Sequence, residues 1–248
     1  MHNPFSLQGK TILVTGASSG IGRATAIECS RLGAKVVVTG RNENHLKDTF
    51  DGLLGEGHLS IQADLTQAED MVRLVEQTPS LDGLVNNAGM TEMVLTPFVK
   101  REKLEKILEI NTIAPILLTQ QLIKTKKLLR GGSIVFTGSI SGTCVCGGGN
   151  ALYSTSKGAI HGFMKNAALD LSIKGIRVNE VCPGMIDTHF LDVGTISDEQ
   201  LGVEVSRYPM KRFGKPEEIA YAIIYFLSDA SSFTTGSSLV VDGGFTLV

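Results

Sequence analysis

The sequence has no tryptophan, and aromatic residues make up only 6% of it, so a core must be built from aliphatic side chains. It has no excess of either charge: 23 Lys and Arg stand against 25 Asp and Glu, a net charge of -2. That balance supplies no field to hold nucleic acid or an anionic membrane, and neither is expected as a partner. Cysteine is scarce. Cys29, Cys144, Cys146 and Cys182 form no CxxC pair and no zinc pattern with histidine, which excludes a disulfide scaffold and leaves no metal site to expect. Cys144 and Cys146 could be redox-active but read as small buried fillers, and a reducing, cytosolic setting fits. No apolar run approaches the ~20 residues of a membrane span, and Met1 to Lys10 holds no apolar signal core. A soluble, cytoplasmic protein is expected. Without repeats, linkers or low-complexity segments, residues 1–248 read as a single domain.

Glycine is what the chain has in plenty, with 28 residues, so tight turns and close backbone approaches are expected. Thr11–Thr15 is a β-branched run, read as a buried strand. It runs into Gly16-Ala17-Ser18-Ser19-Gly20-Ile21-Gly22 and then a helical pattern to Leu32, closed by Gly33. Strand, glycine loop and helix is the arrangement in which a helix N-terminus meets an anionic ligand. Gly16 suits the tight turn, Gly20 the approach of a pyrophosphate, and Gly22 close packing of helix on strand. A second strand, Lys35–Thr39, completes a βαβ unit and implies a parallel sheet. Where many dinucleotide sites carry a carboxylate for the ribose hydroxyls, this chain has Gly40-Arg41. An arginine attracts a 2′-phosphate that a carboxylate would repel, so NADP is expected over NAD.

Further along, Asn42–Leu54 reads as a helix, His58–Ala63 as a strand, Thr66–Thr78 as a helix and Leu81–Val85 as a strand. Asp64 could bond an adenine amino group or cap the following helix. Asn86 and Asn87 could tie neighbouring strands, with Ala88-Gly89 leaving space for a ligand. Lys100–Leu129 carries apolar residues on several faces and reads as one long helix, kinked at Pro115, whose missing N–H frees the Asn111 carbonyl. Ser133–Phe136 is a fifth strand that places Ser139 at a C-terminal strand end, where open α/β sheets bind ligands. Ile176–Val181 and Ser238–Val241 are the sixth and seventh strands, and Lys215-Pro216-Glu217-Glu218 opens a last helix. Residues 188–212 have no clean period and are expected to form a lid.

Tyr153 and Lys157 stand one turn apart on a helix that follows Gly147-Gly148-Gly149-Asn150. A phenol holds its proton tightly at neutral pH, and a neighbouring ammonium favours the phenolate. The pair could serve as a tuned acid/base.

Taken together, Thr15 to Gly22, Asn86 to Gly89, Asn111, Ser139, Tyr153–Lys157 and Pro183-Gly184 resemble, in identity and order, the motifs of the short-chain dehydrogenase/reductase family. The likeness runs from Gly9 to Gly244. It implies a single Rossmann-type, doubly wound α/β domain with a seven-stranded parallel sheet flanked by helices. It also implies hydride transfer between a nicotinamide cofactor and a carbonyl or alcohol. In the family's scheme Tyr153 would pass a proton to the substrate oxygen and Lys157 would assist it and hold the nicotinamide ribose. Ser139 would hydrogen-bond the oxygen, and Asn111 would hold a relay water through its carbonyl. Cofactor contacts would come from Gly16, Ser18, Ser19, Gly20, Ile21, Gly22, Arg41, Asp64, Leu65, Asn87, Ala88, Gly89, Tyr153, Lys157, Pro183, Gly184, Ile186 and Thr188.

The Arg212-Phe213-Gly214-Lys215-Pro216-Glu217-Glu218 stretch and the Asp242-Gly243-Gly244 ending are similar to the 3-oxoacyl-acyl-carrier-protein reductase-like subgroup. They are shared with sugar, polyol and steroid dehydrogenases, so substrate stays open, as does a cofactor-sensing module without turnover. The resemblance implies a homotetramer, with Lys100–Leu129 and Asn150–Ile173 at one interface and the C-terminal strand and tail at another. A carrier-protein partner would need a basic patch, for which Lys100, Arg101, Lys103, Lys124, Lys126, Lys127, Arg207, Lys211 and Arg212 are the candidates, each equally readable as a solvated face.

Overall fold

A computed structural model of the chain describes residues 3–188 and 198–248. Seven strands form one parallel sheet: β1 (Thr11–Thr15), β2 (Lys35–Gly40), β3 (Leu59–Gln62), β4 (Leu81–Asn86), β5 (Leu128–Thr137), β6 (Arg177–Pro183) and β7 (Ser238–Val241), in the order β3-β2-β1-β4-β5-β6-β7. The helices between them are α1 (Gly20–Arg31), α2 (Glu43–Asp51), α3 (Ala68–Gln77), α4 (Arg101–Leu108), α5 (Ala114–Lys124), α6 (Ala151–Ser172), α7 (Asp198–Ser206) and α8 (Pro216–Leu227). The expected doubly wound architecture is therefore present.

Strand periodicity divides the core. Ile12 and Val14 point to one side of the sheet and Leu13 to the other, as alternation requires. Buried residues of α1, α2 and α8 pack on the first side, those of α3, α5 and α6 on the second. Aliphatic side chains do most of this work: Leu118 and Ile223 have no exposed surface, and each such burial contributes about 1.5–3 kcal/mol. β1 pairs with β2 on one side and β4 on the other, so successive strands leave it in opposite directions. The gap that this reversal opens at the C-terminal strand ends is where a ligand can enter.

The stretch expected as one long helix is not continuous. A wide turn of π-helix over Glu109–Ile113 separates α4 from α5, just before Pro115. Inserting a residue there accommodates a ring that can make no bond to the preceding turn. The far end also differs: α5 stops at Lys124 and β5 begins at Leu128. Lys126 adopts φ 60°, its N–H bonds Ile123 O, and the Lys127 N–H bonds Leu122 O. That is a Schellman ending with lysine in the left-handed position, so the glycine that marks such endings is absent from the sequence. In the expected lid, α7 is helical, and residues 189–197 lie outside the described residues.

Candidate active site

Gly16 ends β1 with φ +63°, and a Cβ there would meet Ala88 Cα at 2.8 Å. A Cβ on Gly22 would stand 2.2 Å from the Gly16 carbonyl oxygen and 2.5 Å from Asn87 Nδ2. Only a hydrogen fits, so α1 starts tight against the loop. Its N-cap, Ser19, makes no side-chain cap, and the first turn carries no acid. The N-terminal N–H groups are thus left for an anion.

This loop forms one wall of a cleft of about 670 Å³. Among the expected cofactor residues, Gly16, Ser18, Ser19, Gly20, Ile21, Arg41, Asp64, Leu65, Asn87, Ala88, Gly89 and Thr188 line it. Thr39, Gly40, Asn42, Ala63, Thr66 and Ile110 also line it and were not foreseen. Most of those sit at or just past the ends of β2 and β3, and the rule that ligands bind at C-terminal strand ends would have found them. Arg41 is exposed. Its backbone oxygen accepts from Gln62 Nε2 (2.8 Å), and its guanidinium has no partner among the described residues. Ser18 Oγ lies 3.2 Å from a Cβ built on Gly40, so the serine hydroxyl borders the same corner. Asp64 Oδ1 takes the Thr66 N–H (3.0 Å) and hydroxyl (2.8 Å), a turn before α3 rather than the cap of its first residue.

Behind the cleft, the strand ends are knotted together. Thr15 Oγ1 donates to Val85 O and accepts from the N–H groups of Asn87 (2.9 Å) and Ala88 (3.0 Å). Asn87 Nδ2 donates to Thr15 O, and its Oδ1 accepts from Thr137 Oγ1 (3.1 Å). One asparagine thus joins β1, β4 and β5, as expected of this position, while Thr15 and Thr137 were missed. Asn86 reaches the other way, to Thr119 Oγ1 of α5 (3.1 Å).

Lys157 lies at the far side of this knot. It is buried, and its Nζ donates to Thr137 O at 2.7 Å. The same Nζ stands 5.7 Å from the Tyr153 ring centroid and 3.7 Å from a Cβ built on Gly89. Asn111 Oδ1 is 3.2 Å from that point. Lysine and asparagine therefore converge on a glycine that lines the cleft. The Asn111 side chain is fully used: Oδ1 accepts from Met90 N–H (2.8 Å), and Nδ2 donates to Met90 O (2.8 Å) and Ser156 Oγ (3.0 Å). Tyr153 packs against the small apolar cluster of Val94, Ile107 and Leu152, and its hydroxyl has no partner among the described residues. Ser139 is nearly buried; its Oγ accepts from Ser141 N–H (3.1 Å) and its carbonyl from Thr143 Oγ1 (2.7 Å).

The segment after β6 returns to the glycine loop. Pro183 O accepts from Ile140 N–H, Gly184 N–H donates to Val241 O, and Thr188 Cγ2 comes within 3.1 Å of a Cβ built on Gly20. Of the expected cofactor contacts, Gly22, Tyr153, Lys157, Pro183, Gly184 and Ile186 do not line the cleft: Gly22 is packed against the Gly16 carbonyl, Lys157 is tied to Thr137 O, and Ile186 packs into the core on the α8 side. Two cysteines depart from expectation. Cys29 and Cys182 are buried fillers, with burial pushing the Cys182 thiol up to about 12. Cys144 and Cys146 are exposed, because the loop of small residues after Ser139 has no apolar layer packed over it among the described residues.

Comparison with known proteins covers nearly the whole chain. A family model described as enoyl-(acyl carrier protein) reductase matches residues 16–246. A 3-oxoacyl-acyl-carrier-protein reductase from Rickettsia prowazekii is 36% identical over 98% of this chain and 100% of its own length. A protein of the same name from Escherichia coli is 35% identical, with the same coverage of both chains. Among solved structures, a short-chain type dehydrogenase/reductase from Mycobacterium marinum superposes with a TM-score of 0.89 at 31% identity, over 99% of this chain and 98% of that one.

Proposed function

The chain belongs to the short-chain dehydrogenase/reductase family and is an oxidoreductase, and from that premise we propose that it is an NADPH-dependent carbonyl reductase whose chemistry rests on Tyr153, Lys157, Ser139 and Asn111. The observation that carries this reading is the meeting of Lys157 Nζ and Asn111 at Gly89, on the wall of the glycine-bounded cleft.

The cleft fits a nicotinamide dinucleotide. Gly16 and Gly22 leave no side chain in the way, α1 opens uncapped, and Arg41 and Ser18 stand free at the corner where a 2′-phosphate would be held. When bound, that cofactor supplies the hydride that a carbonyl carbon receives. The chain supplies the rest. The Tyr153 hydroxyl, without a partner among the described residues, gives its proton to the substrate oxygen. Lys157 keeps one N–H on Thr137 O and has two left, for a ribose hydroxyl and for the charge that Tyr153 takes on. Ser139 Oγ accepts from a backbone N–H, so its own proton is available to the substrate oxygen. The Asn111 side chain is committed to Met90 and Ser156, which leaves its carbonyl as the group for a relay water.

A 3-oxoacyl thioester is the first candidate substrate, by likeness to the reductases above. One observation favours a small free carbonyl or alcohol over a carrier-bound one. Four of the proposed docking cations are already paired: Arg101 with Glu105, Lys103 with Glu92, Arg207 with Glu204 and Arg212 with Glu218. A homotetramer is supported by exposed apolar residues on the expected faces, including Leu169 of α6, Ile173 just after it, and Leu247 and Val248 of the tail. No helix among the described residues is long and apolar enough to cross a membrane, in keeping with a cytoplasmic enzyme. The decisive experiment is NADPH oxidation over a panel of 3-oxoacyl thioesters, simple ketones and sugars, with Tyr153→Phe alongside. Turnover with at least one carbonyl, abolished in Tyr153→Phe while NADPH still binds, is the expected result. No turnover across the panel, or an active Tyr153→Phe, overturns the reading.

A further inference from the structure

Among the described residues, Glu180 is the only acid with no exposed surface. It stands in β6 between Val178 and Cys182 on the face that packs against α6, a slot that alternation reserves for an apolar side chain. A carboxylate in such a slot is poorly solvated, and an apolar residue of similar size would be as stable or more so. What the carboxylate adds is direction.

Its contacts tie together three elements of the proposed site. Oε2 accepts a hydrogen bond from Ser238 Oγ of β7 (3.0 Å) and meets His161 Nδ1 of α6 at 2.8 Å. His161 is the third residue, after Tyr153 and Lys157, in a series four apart on one helix face. The other oxygen, Oε1, has no hydrogen-bond partner among the described residues and lies against the backbone of Gly138, where a Cβ would stand 2.1 Å away. Gly138 links Thr137, whose carbonyl anchors Lys157, to Ser139. Cys182, next on the same face of β6, lies beside the Ser139 amide; burial first and then the charge of Glu180 raise its thiol. The titratable groups that meet Glu180 are thus His161 from α6 and Cys182 on β6.

We infer that Glu180, held by His161 and Ser238, is a positioning residue for the reaction. It forms the wall that sets residues 137–139 against α6 and so fixes the Ser139 hydroxyl relative to Tyr153 and Lys157. The inference rests on the reading of Ser139 and Tyr153 given above. Glu180 touches no part of the cofactor cleft, so its loss should alter turnover and spare cofactor binding.

The test uses the full chain with NADPH and a carbonyl that it turns over, comparing Glu180→Gln, His161→Ala, His161→Gln and Ser139→Ala. Misplacing a reacting group by about 1 Å costs up to ~100-fold, so Glu180→Gln should lower kcat about 10- to 100-fold. Its NADPH Kd and the substrate KM should stay within about twofold. His161 is partly exposed, so His161→Ala tests the same brace even where Glu180→Gln folds poorly. His161→Gln, whose amide can still donate to Oε2, should recover part of the lost kcat. On a Ser139→Ala background, Glu180→Gln should cost little more. Full kcat in both Glu180→Gln and His161→Ala overturns the inference, as does an undiminished loss on the Ser139→Ala background. An inactive Ser139→Ala beside fully active Glu180→Gln and His161→Ala removes the inference alone, whereas a fully active Ser139→Ala removes its premise as well.

Discussion

Replacing Arg41 with alanine isolates the basis for preferring NADPH. The guanidinium is exposed and has no acid to leave among the described residues when a phosphate arrives, so binding breaks no ion pair there. A hydrogen bond to a charged group contributes about 1.5–3 kcal/mol. Water and salt screen an exposed side chain, which places Arg41 toward the lower end, about 1.5–2 kcal/mol. At 1.4 kcal/mol per tenfold, Arg41→Ala should weaken NADPH binding roughly 10- to 30-fold. NADH, which has no 2′-phosphate, should change by less than about twofold on the same argument. Cofactor fluorescence titrated at two ionic strengths measures both constants. The wild-type preference should shrink with salt and the variant's should not. Equal losses for the two cofactors would show that Arg41 supports the loop rather than the phosphate, and the NADP assignment would fail with it.

Gly22→Ala should be among the most damaging small changes, because its Cβ meets the Gly16 backbone as well as the Asn87 side chain. Overpacking of this kind costs about 1–3 kcal/mol, read as a lower Tm together with weaker cofactor binding; a neutral effect on both would mean that the α1 start can shift freely. Glu218 gives a pH test. Its hydrogen bonds from Arg212 first, and then from the Lys215 N–H, hold its carboxyl down at about 2, below its unfolded value. The stabilisation is therefore fully present above about pH 4.5 and lost as the pH falls toward about 2. The Tm difference between wild type and Glu218→Gln should narrow through that window and be modest throughout, since the pair is partly exposed; a difference constant from pH 6 to 2 would contradict the assignment. Thiol titration of the native protein should find two fast cysteines, Cys144 and Cys146, and two slow ones, Cys29 and Cys182. Four fast thiols would mean that the buried pair is not held in the core.

Local signals made the fold legible. β-branched runs marked strands such as Thr11–Thr15 and Lys35–Thr39, and glycine at Gly33 and Gly175, both at positive φ, marked where α1 and α6 end. The one large error, the helix drawn through to Leu129, came where structure departs from the local code. Lys126 takes a conformation usually given to glycine, and Leu128 becomes a strand only because Leu81 lies beside it. No window of sequence around Lys126 contains that partner, which lies some 45 residues earlier.

The site divides the same way. The glycine loop, Tyr153 and Lys157 can be read because each function is confined to a few consecutive residues or one helical turn. Thr15, Thr137, His161 and Glu180 cannot, since each matters through a bond to a residue far away in sequence: Thr15 to Asn87, Thr137 to Asn87, His161 to Glu180. Ordinary threonines at strand ends carry no mark of this. Yet they decide whether the legible residues meet. Lys157 reaches the cleft wall because Thr137 O holds its ammonium, and Thr137 is held in turn by Asn87, which fastens β1 and its glycine loop. Cofactor cleft and Lys157, the residue proposed to assist the proton donor, are thus joined through one continuous set of hydrogen bonds. A motif search finds the two ends of that set, and only the packed sheet supplies what connects them.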